Sequence, residues 1–271
     1  MPRRCAAVLG RPIEHSLSPV LHRAAYAELG LDWTYEAIDC GVAELRGVLA
    51  ERADWAGFSA TMPLKHALLD AAAEVRSVAA AVGAANTLLP GRRGWIADNT
   101  DVAGIVAALA EYAVAPDSVT VLGAGGTAQA ALAAVLALGV DEVIVLVRDA
   151  GRTGALMDTA ERLGTRVTLG ALDPASAGLG AGLLISTLPD GAADPLAARR
   201  WTAAQTVLDV VYSPWPTPLA AAAGAAGAKV VSGALMLLHQ AAVQVALMTG
   251  ADAPLGAMRV ALETAAPGCG V

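Results

Sequence analysis

From end to end the chain alternates short apolar runs with longer stretches in which apolar residues recur every three or four positions. The short runs have the length and period of strands, and the longer stretches the period of amphipathic helices. A first strand is predicted over residues 5–9. A helix follows from Ser18-Pro19 to Gly30, with Ser18 a candidate N-cap and Pro19 suited to the first turn. Residues 33–39 alternate like a half-buried strand, 41–52 read as helix and 57–61 as strand. Helical segments continue to Ala81, and strands over 86–89 and 94–97 form a hairpin around Pro90-Gly91-Arg92-Arg93. A helix over 101–112 then leads to the linker-like Ala115-Pro116-Asp117.

There the pattern restarts. Strands are predicted over 118–122, 141–147, 165–169, 183–187, 206–211 and 228–231, with helices over 127–138 and 153–163 between the first three. A long helix over 233–248 and a shorter one close the chain. Alternation of this kind is the signature of an α/β architecture, and the restart puts a domain boundary near residue 100.

Composition narrows the class. With 56% hydrophobic but only 4% aromatic residues, the core must be built from Ala, Val and Leu, and the single phenylalanine, Phe58, is expected to anchor little of it. A length of 271 residues suffices for one large domain or two smaller ones. A net charge of -7 excludes a general nucleic-acid binder, which would carry a basic face. Cys5, Cys40 and Cys269 are scattered, odd in number and form no C-x-x-C pair, which points to structural thiols in a reducing compartment, with no metal site. The apolar run behind the basic Met1-Pro2-Arg3-Arg4 ends at Gly10-Arg11, too short for a signal-peptide core, and no later run reaches membrane-spanning length. A soluble cytoplasmic protein is expected.

Lysine occurs only at Lys65 and Lys229, while arginine supplies every other basic side chain. A guanidinium stays charged at any workable pH, whereas an ammonium can give up its proton. Lys65, in the polar turn Thr61-Met62-Pro63-Leu64-Lys65 after an apolar strand, is therefore a candidate proton-transfer group. Lys229 at a strand start reads as a solvated residue.

The strand ending at Leu122 runs into Gly123-Ala124-Gly125-Gly126-Thr127-Ala128 and then a helix, the context a dinucleotide site requires. Its first glycine permits the tight turn, its second allows close approach of a pyrophosphate, and the helix start supplies N–H donors. Ala128 stands where the fingerprint usually has its third glycine. About twenty residues on, an acidic residue marks NAD and arginine marks NADP. Here Arg148 and Arg152, spaced by four, favour a 2′-phosphate and hence NADP, while Asp149 between them offers an acceptor for a hydroxyl. Solvated residues at a helix start are the plainer reading of both arginines.

Four further motifs place small hydrogen-bonding side chains at strand ends and helix starts: Ser16-Leu17-Ser18-Pro19, Thr61 to Lys65, Gly83-Ala84-Ala85-Asn86-Thr87 and Asn99-Thr100-Asp101. In α/β folds such ends converge on the ligand crevice. Their donors and acceptors, with one amine and one acid, suit a polyhydroxylated small molecule. Singly, each has a structural reading: Ser18 as a cap, Asp101 capping its own helix, Asn86 serving a turn.

Taken in order, these motifs resemble the shikimate dehydrogenase family over nearly the whole chain. S-x-S-P, T-x-P-x-K, G-A-x-N-T and N-T-D are followed by Asp209-Val210-Val211-Tyr212-Ser213-Pro214-Trp215-Pro216-Thr217-Pro218-Leu219 and by Gly233-Ala234-Leu235-Met236-Leu237-Leu238-His239-Gln240-Ala241. The resemblance implies an α/β protein of two domains. Residues 1–100 would form a substrate-binding and catalytic domain, 101–236 a Rossmann-type doubly wound NADP-binding domain, and 237–271 helices returning to the first. It implies Ser16 and Ser18 at the substrate carboxylate with Tyr212, and Thr61, Asn86, Asp101 and Gln240 at the ring hydroxyls. Lys65 would be the acid/base, paired with Asp101. Gly123, Ala124, Gly125, Gly126, Thr127 and Ala128 would cradle the pyrophosphate, and Arg148 and Arg152 the 2′-phosphate. Thr187, Val210 and Gly233 would lie along the nicotinamide.

The implied activity is reversible NADPH-dependent reduction of 3-dehydroshikimate to shikimate, in a cleft between the domains of a monomer or homodimer. Two departures bear on it. Ser59 stands where the family often has Asn, and Val147-Arg148-Asp149 where it often has Asn-Arg-Thr. The second places a negative charge near the expected phosphate and predicts weaker discrimination for NADP than is usual in the family. A quinate/shikimate dehydrogenase with relaxed cofactor use and a non-catalytic NADP-binding sensor are the alternative readings. The retained Lys65 and Asp101 speak against the sensor.

Overall fold

The structure, a computed structural model, describes residues 4–271; the basic start Met1-Pro2-Arg3 lies outside them. The chain divides into two compact units. One takes in the chain up to Asp101 together with Leu237–Pro267, the other Val102–Met236 and Gly268–Val271.

The first unit opens with strand β1 (Arg4–Gly10), helix α1 (Ser18–Glu28), β2 (Trp33–Asp39), α2 (Leu45–Glu51) and β3 (Gly57–Ala60). It continues with α3 (Ala67–Ala71), β4 (Glu74–Val75), α4 (Ser77–Val82), β5 (Thr87–Gly91) and β6 (Gly94–Asp98). The sheet has the order β2-β1-β3-β5-β6-β4. β1 is parallel to β2 and β3, while β5 runs antiparallel to β3 and β6. Central β1 is buried on both faces from Ala6 to Gly10, as its unbroken apolar run requires, whereas edge strand β2 is only partly covered, Tyr35 being its one buried residue, and does not show the expected alternation. One face of the sheet packs Leu9, Leu45, Phe58, Leu64, Leu68 and Leu88, and the other Val8, Ile13, Tyr26, Tyr35 and Leu89. Phe58 anchors more than composition suggests. It is fully buried, stacked on Trp55 at 5.5 Å and edge-on to Trp95 at 5.1 Å, so three of the few aromatics form one cluster.

Several sequence expectations shift. Ser18 is not an N-cap but the first residue of α1, whose start has no side-chain cap. α2 begins only at Leu45, because the Glu44 carboxylate turns back to accept the Gly41 N–H at 3.1 Å and holds the preceding residues in a turn. Pairing in the β5–β6 hairpin extends to Gly91 opposite Gly94, leaving only Arg92-Arg93 as the turn. The short β4, parallel to β6, interrupts what reads as continuous helix.

The second unit comprises α5 (Asp101–Glu111, whose first residue belongs to the first unit), β7 (Val119–Leu122), α6 (Gly126–Ala137), β8 (Glu142–Val147), α7 (Gly154–Leu163) and β9 (Arg166–Ala171). β10 (Leu183–Ser186), β11 (Thr206–Asp209), α8 (Pro218–Ala225) and β12 (Lys229–Ser232) complete it. Its six strands are all parallel in the order β12-β11-β10-β7-β8-β9. The chain builds outward from β7 to β9, returns beside β7 as β10 and builds outward again, which is the doubly wound order, with its switch point between β7 and β10. α8 was not expected from periodicity, although its start is well marked: Thr217 Oγ1 accepts the Ala220 N–H at 3.1 Å, with Pro218 in the first turn. Lys229 opens β12 and its Nζ donates to the Tyr112 carbonyl at 3.1 Å.

α9 (Gly233–Thr249) and α10 (Leu255–Ala265) follow. From Leu237 onward they belong to the first unit, where α10 packs on α1 and Met248 enters the core beside Tyr26 and Tyr35.

Candidate active site

In the first unit, the residues singled out in four separate motifs meet. Lys65 lies in the turn between β3 and α3, fixed by the Ala85 N–H donating to its carbonyl at 2.7 Å. Its Nζ donates to Asp101 Oδ2 at 2.6 Å, with the lysine side chain 15% and the aspartate 6% exposed. Asp101 does not cap its own helix. Asn99 does so, its Oδ1 accepting the Asp101 N–H at 3.0 Å while its Nδ2 donates to the Ala84 carbonyl at 2.8 Å. Asp98 in turn accepts the Asn99 N–H at 2.8 Å and an Arg76 guanidinium at 2.9 Å. This corner frees the Asp101 carboxylate to face Lys65. Its second oxygen, Oδ1, accepts from Asn86 Nδ2 at 2.8 Å.

Asn86 is buried and serves no turn. Its Nδ2 also reaches Thr100 Oγ1 at 2.9 Å and Gln240 Oε1 at 3.2 Å, and its Oδ1 accepts the Thr100 N–H at 2.8 Å. Gln240, one turn into the part of α9 that belongs to this unit, donates to the Leu237 carbonyl at 3.0 Å. Lys65, Asp101, Asn86 and Gln240 thus form one connected group. Thr61 follows β3 directly, its N–H donating to the Leu9 carbonyl at 2.9 Å. Ser16 and Ser18 stand at the start of α1, where Ser16 Oγ accepts the Ser18 N–H at 3.3 Å. A helix start with two hydroxyls and no capping side chain favours an anionic group. Ser59, one of the two family departures, is buried and hydrogen-bonded to the Tyr35 hydroxyl.

In the second unit the glycine loop follows β7 at the switch point. Gly123 has φ +101°, in the region that favours glycine, and a Cβ there would lie 2.8 Å from Thr187 Oγ1. Thr187, at the end of β10, is held by its hydroxyl donating to the Leu122 carbonyl at 2.7 Å. Thr187 and the glycine loop are therefore neighbours. Nothing lies within 4 Å of a Cβ at Gly125, where the backbone is open to a ligand just before α6 begins at Gly126. Ala124, Gly126 and Thr127 are partly exposed beside it and Ala128 is buried in the helix. Gly233 packs directly on the Val210 backbone, closer than any Cβ would permit, so these two predicted residues also adjoin. Tyr212 stands partly exposed two residues beyond Val210.

Arg148 and Arg152 are exposed at the end of β8, and neither side chain has a polar partner among the described residues. The stretch they bracket is a short 3-10 turn, Ala150–Arg152, capped by Asp149, whose Oδ1 accepts the Gly151 N–H at 2.9 Å. One oxygen of the acid is thereby committed to the backbone. An open glycine cradle, a helix start and two unpaired guanidinium groups fit a phosphorylated dinucleotide.

Sequence reasoning missed His22 and Gln244 and gave no role to Thr87 and Thr100 within their motifs; all four are buried polar residues behind the connected group. Its place one turn from Gln240 on an otherwise apolar helix was a legible signal for Gln244.

A doubly wound parallel sheet with a glycine-rich first turn, in one chain with a second α/β unit carrying an amine–carboxylate pair, defines a dinucleotide-dependent oxidoreductase of two units. The family can be stated as well. A model described as shikimate dehydrogenase substrate binding domain matches residues 8–88, and one described as shikimate 5'-dehydrogenase C-terminal domain matches residues 233–263. A shikimate dehydrogenase (NADP(+)) of Halobacterium salinarum is 41% identical over 94% of this chain and 97% of its own. The crystal structure of Mycobacterium tuberculosis shikimate dehydrogenase superposes with a TM-score of 0.86 at 46% identity, covering 96% of this chain and 99% of that one. The shikimate 5-dehydrogenase of Thermus thermophilus in complex with NADP(H) and shikimate gives 0.83 at 32% identity, covering 97% and 99%. The chain belongs to the shikimate dehydrogenase family.

Proposed function

We propose that the protein is an NADP-dependent shikimate dehydrogenase, which interconverts 3-dehydroshikimate and shikimate in the biosynthesis of chorismate and the aromatic amino acids. The observation that carries this reading is the Lys65–Asp101 pair at 2.6 Å, with Asn86 on the other carboxylate oxygen, in a chain 35% and 41% identical to proteins of that name in Thermosynechococcus vestitus and Halobacterium salinarum.

When bound, NADPH supplies the hydride that reduces the C3 carbonyl. The chain's own residues supply the proton and the alignment. Lys65 stabilises the negative charge that develops on the carbonyl oxygen and donates a proton to it; in oxidation the neutral amine takes the hydroxyl proton. Asp101, with both oxygens occupied, fixes the amine in place. Thr61, Asn86, Asp101 and Gln240 are assigned to the ring hydroxyls, which holds one face and one carbonyl toward Lys65. Ser16 and Ser18 take the carboxylate at the start of α1, and Tyr212 is assigned to the same group. Gly123 to Ala128 bind the pyrophosphate through backbone N–H groups, Arg148 and Arg152 the 2′-phosphate, and Thr187, Val210 and Gly233 the nicotinamide side.

Among the described residues no helix is long and apolar enough to cross a membrane. The reading takes the protein as a cytoplasmic monomer or homodimer acting on a small molecule, and the acidic net charge speaks against a nucleic-acid partner. The test is a spectrophotometric assay of shikimate oxidation with NADP and with NAD, and quinate as competing substrate. Cofactor binding without turnover of shikimate would overturn the proposal in favour of a sensor, and faster turnover of quinate with NAD would favour the relaxed enzyme.

A further inference from the structure

Behind Asn86 runs a line of buried polar groups that the proposed reaction does not use. Gln244, on α9, donates from Nε2 to Thr87 Oγ1 at 3.1 Å and to the Asn86 carbonyl at 3.5 Å. A backbone carbonyl only accepts, so the amide nitrogen must face it, and Oε1 is left facing His22 Nε2 at 3.3 Å. That ring nitrogen therefore carries the proton, and Nδ1 accepts from the Tyr26 hydroxyl at 3.3 Å. His22 is wholly buried and stacked on Tyr35 with ring centroids 3.9 Å apart, which holds the ring in place, while its two hydrogen-bond partners set the tautomer. Thr87 Oγ1 accepts the hydrogen bond from Gln244 and donates its own to Asn86 Oδ1 at 2.9 Å. Asn86 Nδ2 then donates to Asp101 Oδ1. Every donor along Tyr26, His22, Gln244, Thr87 and Asn86 points the same way, toward the carboxylate that holds Lys65.

We propose that Gln244 is a positioning residue of this active site, acting through Thr87 to anchor the Asn86 carboxamide with its amino group on Asp101. Resting on the reading of the protein as a shikimate dehydrogenase, the inference adds to it residues that need touch neither substrate nor cofactor. Thr100 also donates to Asn86 Oδ1, but it sits next to Asp101 in the chain and shifts with it. Thr87 and Gln244 tie Asn86 instead to β5 and α9, and His22 ties Gln244 to α1, the helix whose first turn carries Ser18. Three substrate-facing elements are thereby held in register through one amide. Removing the line leaves Asn86 and Asp101 present but less well aligned, and misalignment slows turnover more than it weakens cofactor binding.

The test compares Thr87→Val, Thr87→Ser and Gln244→Met with the wild type in shikimate oxidation. Thr87→Val keeps the shape and removes the hydroxyl, whereas Thr87→Ser keeps it. The expected result is a fall in kcat of about tenfold for Thr87→Val and Gln244→Met, the scale of one lost buried hydrogen bond. The KM for NADP should stay within about twofold of the wild type, and Thr87→Ser should restore most of kcat. Unchanged kcat in Thr87→Val, no rescue by Thr87→Ser, or a KM for NADP rising in step with the loss of kcat would each overturn the inference. Should Gln244→Met fail to fold, the two Thr87 variants decide. A wild type that does not oxidise shikimate removes the functional reading and this inference with it, while an active wild type with unaffected variants removes the inference alone.

Discussion

In the acid/base role proposed for it, Lys65 could not be replaced by an arginine. Both side chains can pair with Asp101, but only an ammonium acts as a proton donor and, once neutral, as an acceptor. Lys65→Ala should lower kcat for shikimate oxidation by two to four orders of magnitude, roughly the worth of a positioned general acid, with little change in substrate KM. Lys65→Arg should be about as slow although it keeps the charge. Near-wild-type turnover in either variant, measured in the steady state, would remove Lys65 from the role. Asp149 is a second case in which one side chain has two calls on it. It caps the turn at Gly151 while sitting between the arginines assigned to the 2′-phosphate. Asp149→Asn keeps a capping oxygen and removes the charge, so it should raise kcat/KM for NADPH relative to NADH by a few-fold, about the worth of an exposed charge contact. A wild-type preference for NADPH of several thousandfold would mean that the aspartate costs nothing.

At the scale of elements, close backbone approaches set what can be changed. Gly233 joins β12 to α9 directly against Val210, and an alanine there would drive its Cβ into main-chain atoms that cannot rotate away. Gly233→Ala should therefore lower Tm by several degrees, the consequence of about 1–3 kcal/mol of overpacking, and raise the KM for NADPH by displacing Val210. Such junctions were legible in the sequence as motifs, and most strands and helices as periodicity, because an alternating or fully apolar run has few other uses in a sheet. What escaped was set by side chains acting across the fold. Glu44 delays α2 by capping Gly41, two residues of β4 pair where local pattern reads as helix, and the start of α8 was hidden in a run of prolines. At the active site the amine, the acid and the amides stood out within their motifs. His22 did not, because a lone polar residue in an apolar stretch shows its partners only once the chain has folded, and Thr87 stood in its motif without a role.

Over the whole molecule, one buried group should make a distinct contribution to acid sensitivity. Burial lowers His22 to about 3 from an ordinary 6.5, with the hydrogen bond to Gln244 acting in the opposite sense. Between those values the unfolded chain takes up a proton that the folded chain refuses. The contribution of His22 to stability is therefore constant above about pH 6.5 and falls as the pH drops below it, by on the order of 1 kcal/mol per pH unit. His22→Gln should be less stable than the wild type near pH 7, having lost the ring's packing, yet lose less of its urea midpoint on going to about pH 5. A parallel decline in both proteins would show that other groups govern the acid limb. The division of the chain bears on how the protein is made. The first unit takes up the start of the chain but needs Leu237–Pro267, where Gln240, Gln244 and α10 lie, whereas the second is almost wholly contained in Val102–Met236. On the ribosome the first hundred residues emerge with Asn86 and His22 lacking their α9 partners, and they must wait while the later unit folds ahead of them. A fragment ending at Asp101 should accordingly stay unfolded by circular dichroism and hydrogen exchange, and gain structure when residues 237–267 are supplied as a separate peptide. The half of the enzyme that is translated first cannot be completed until nearly the whole chain has been made.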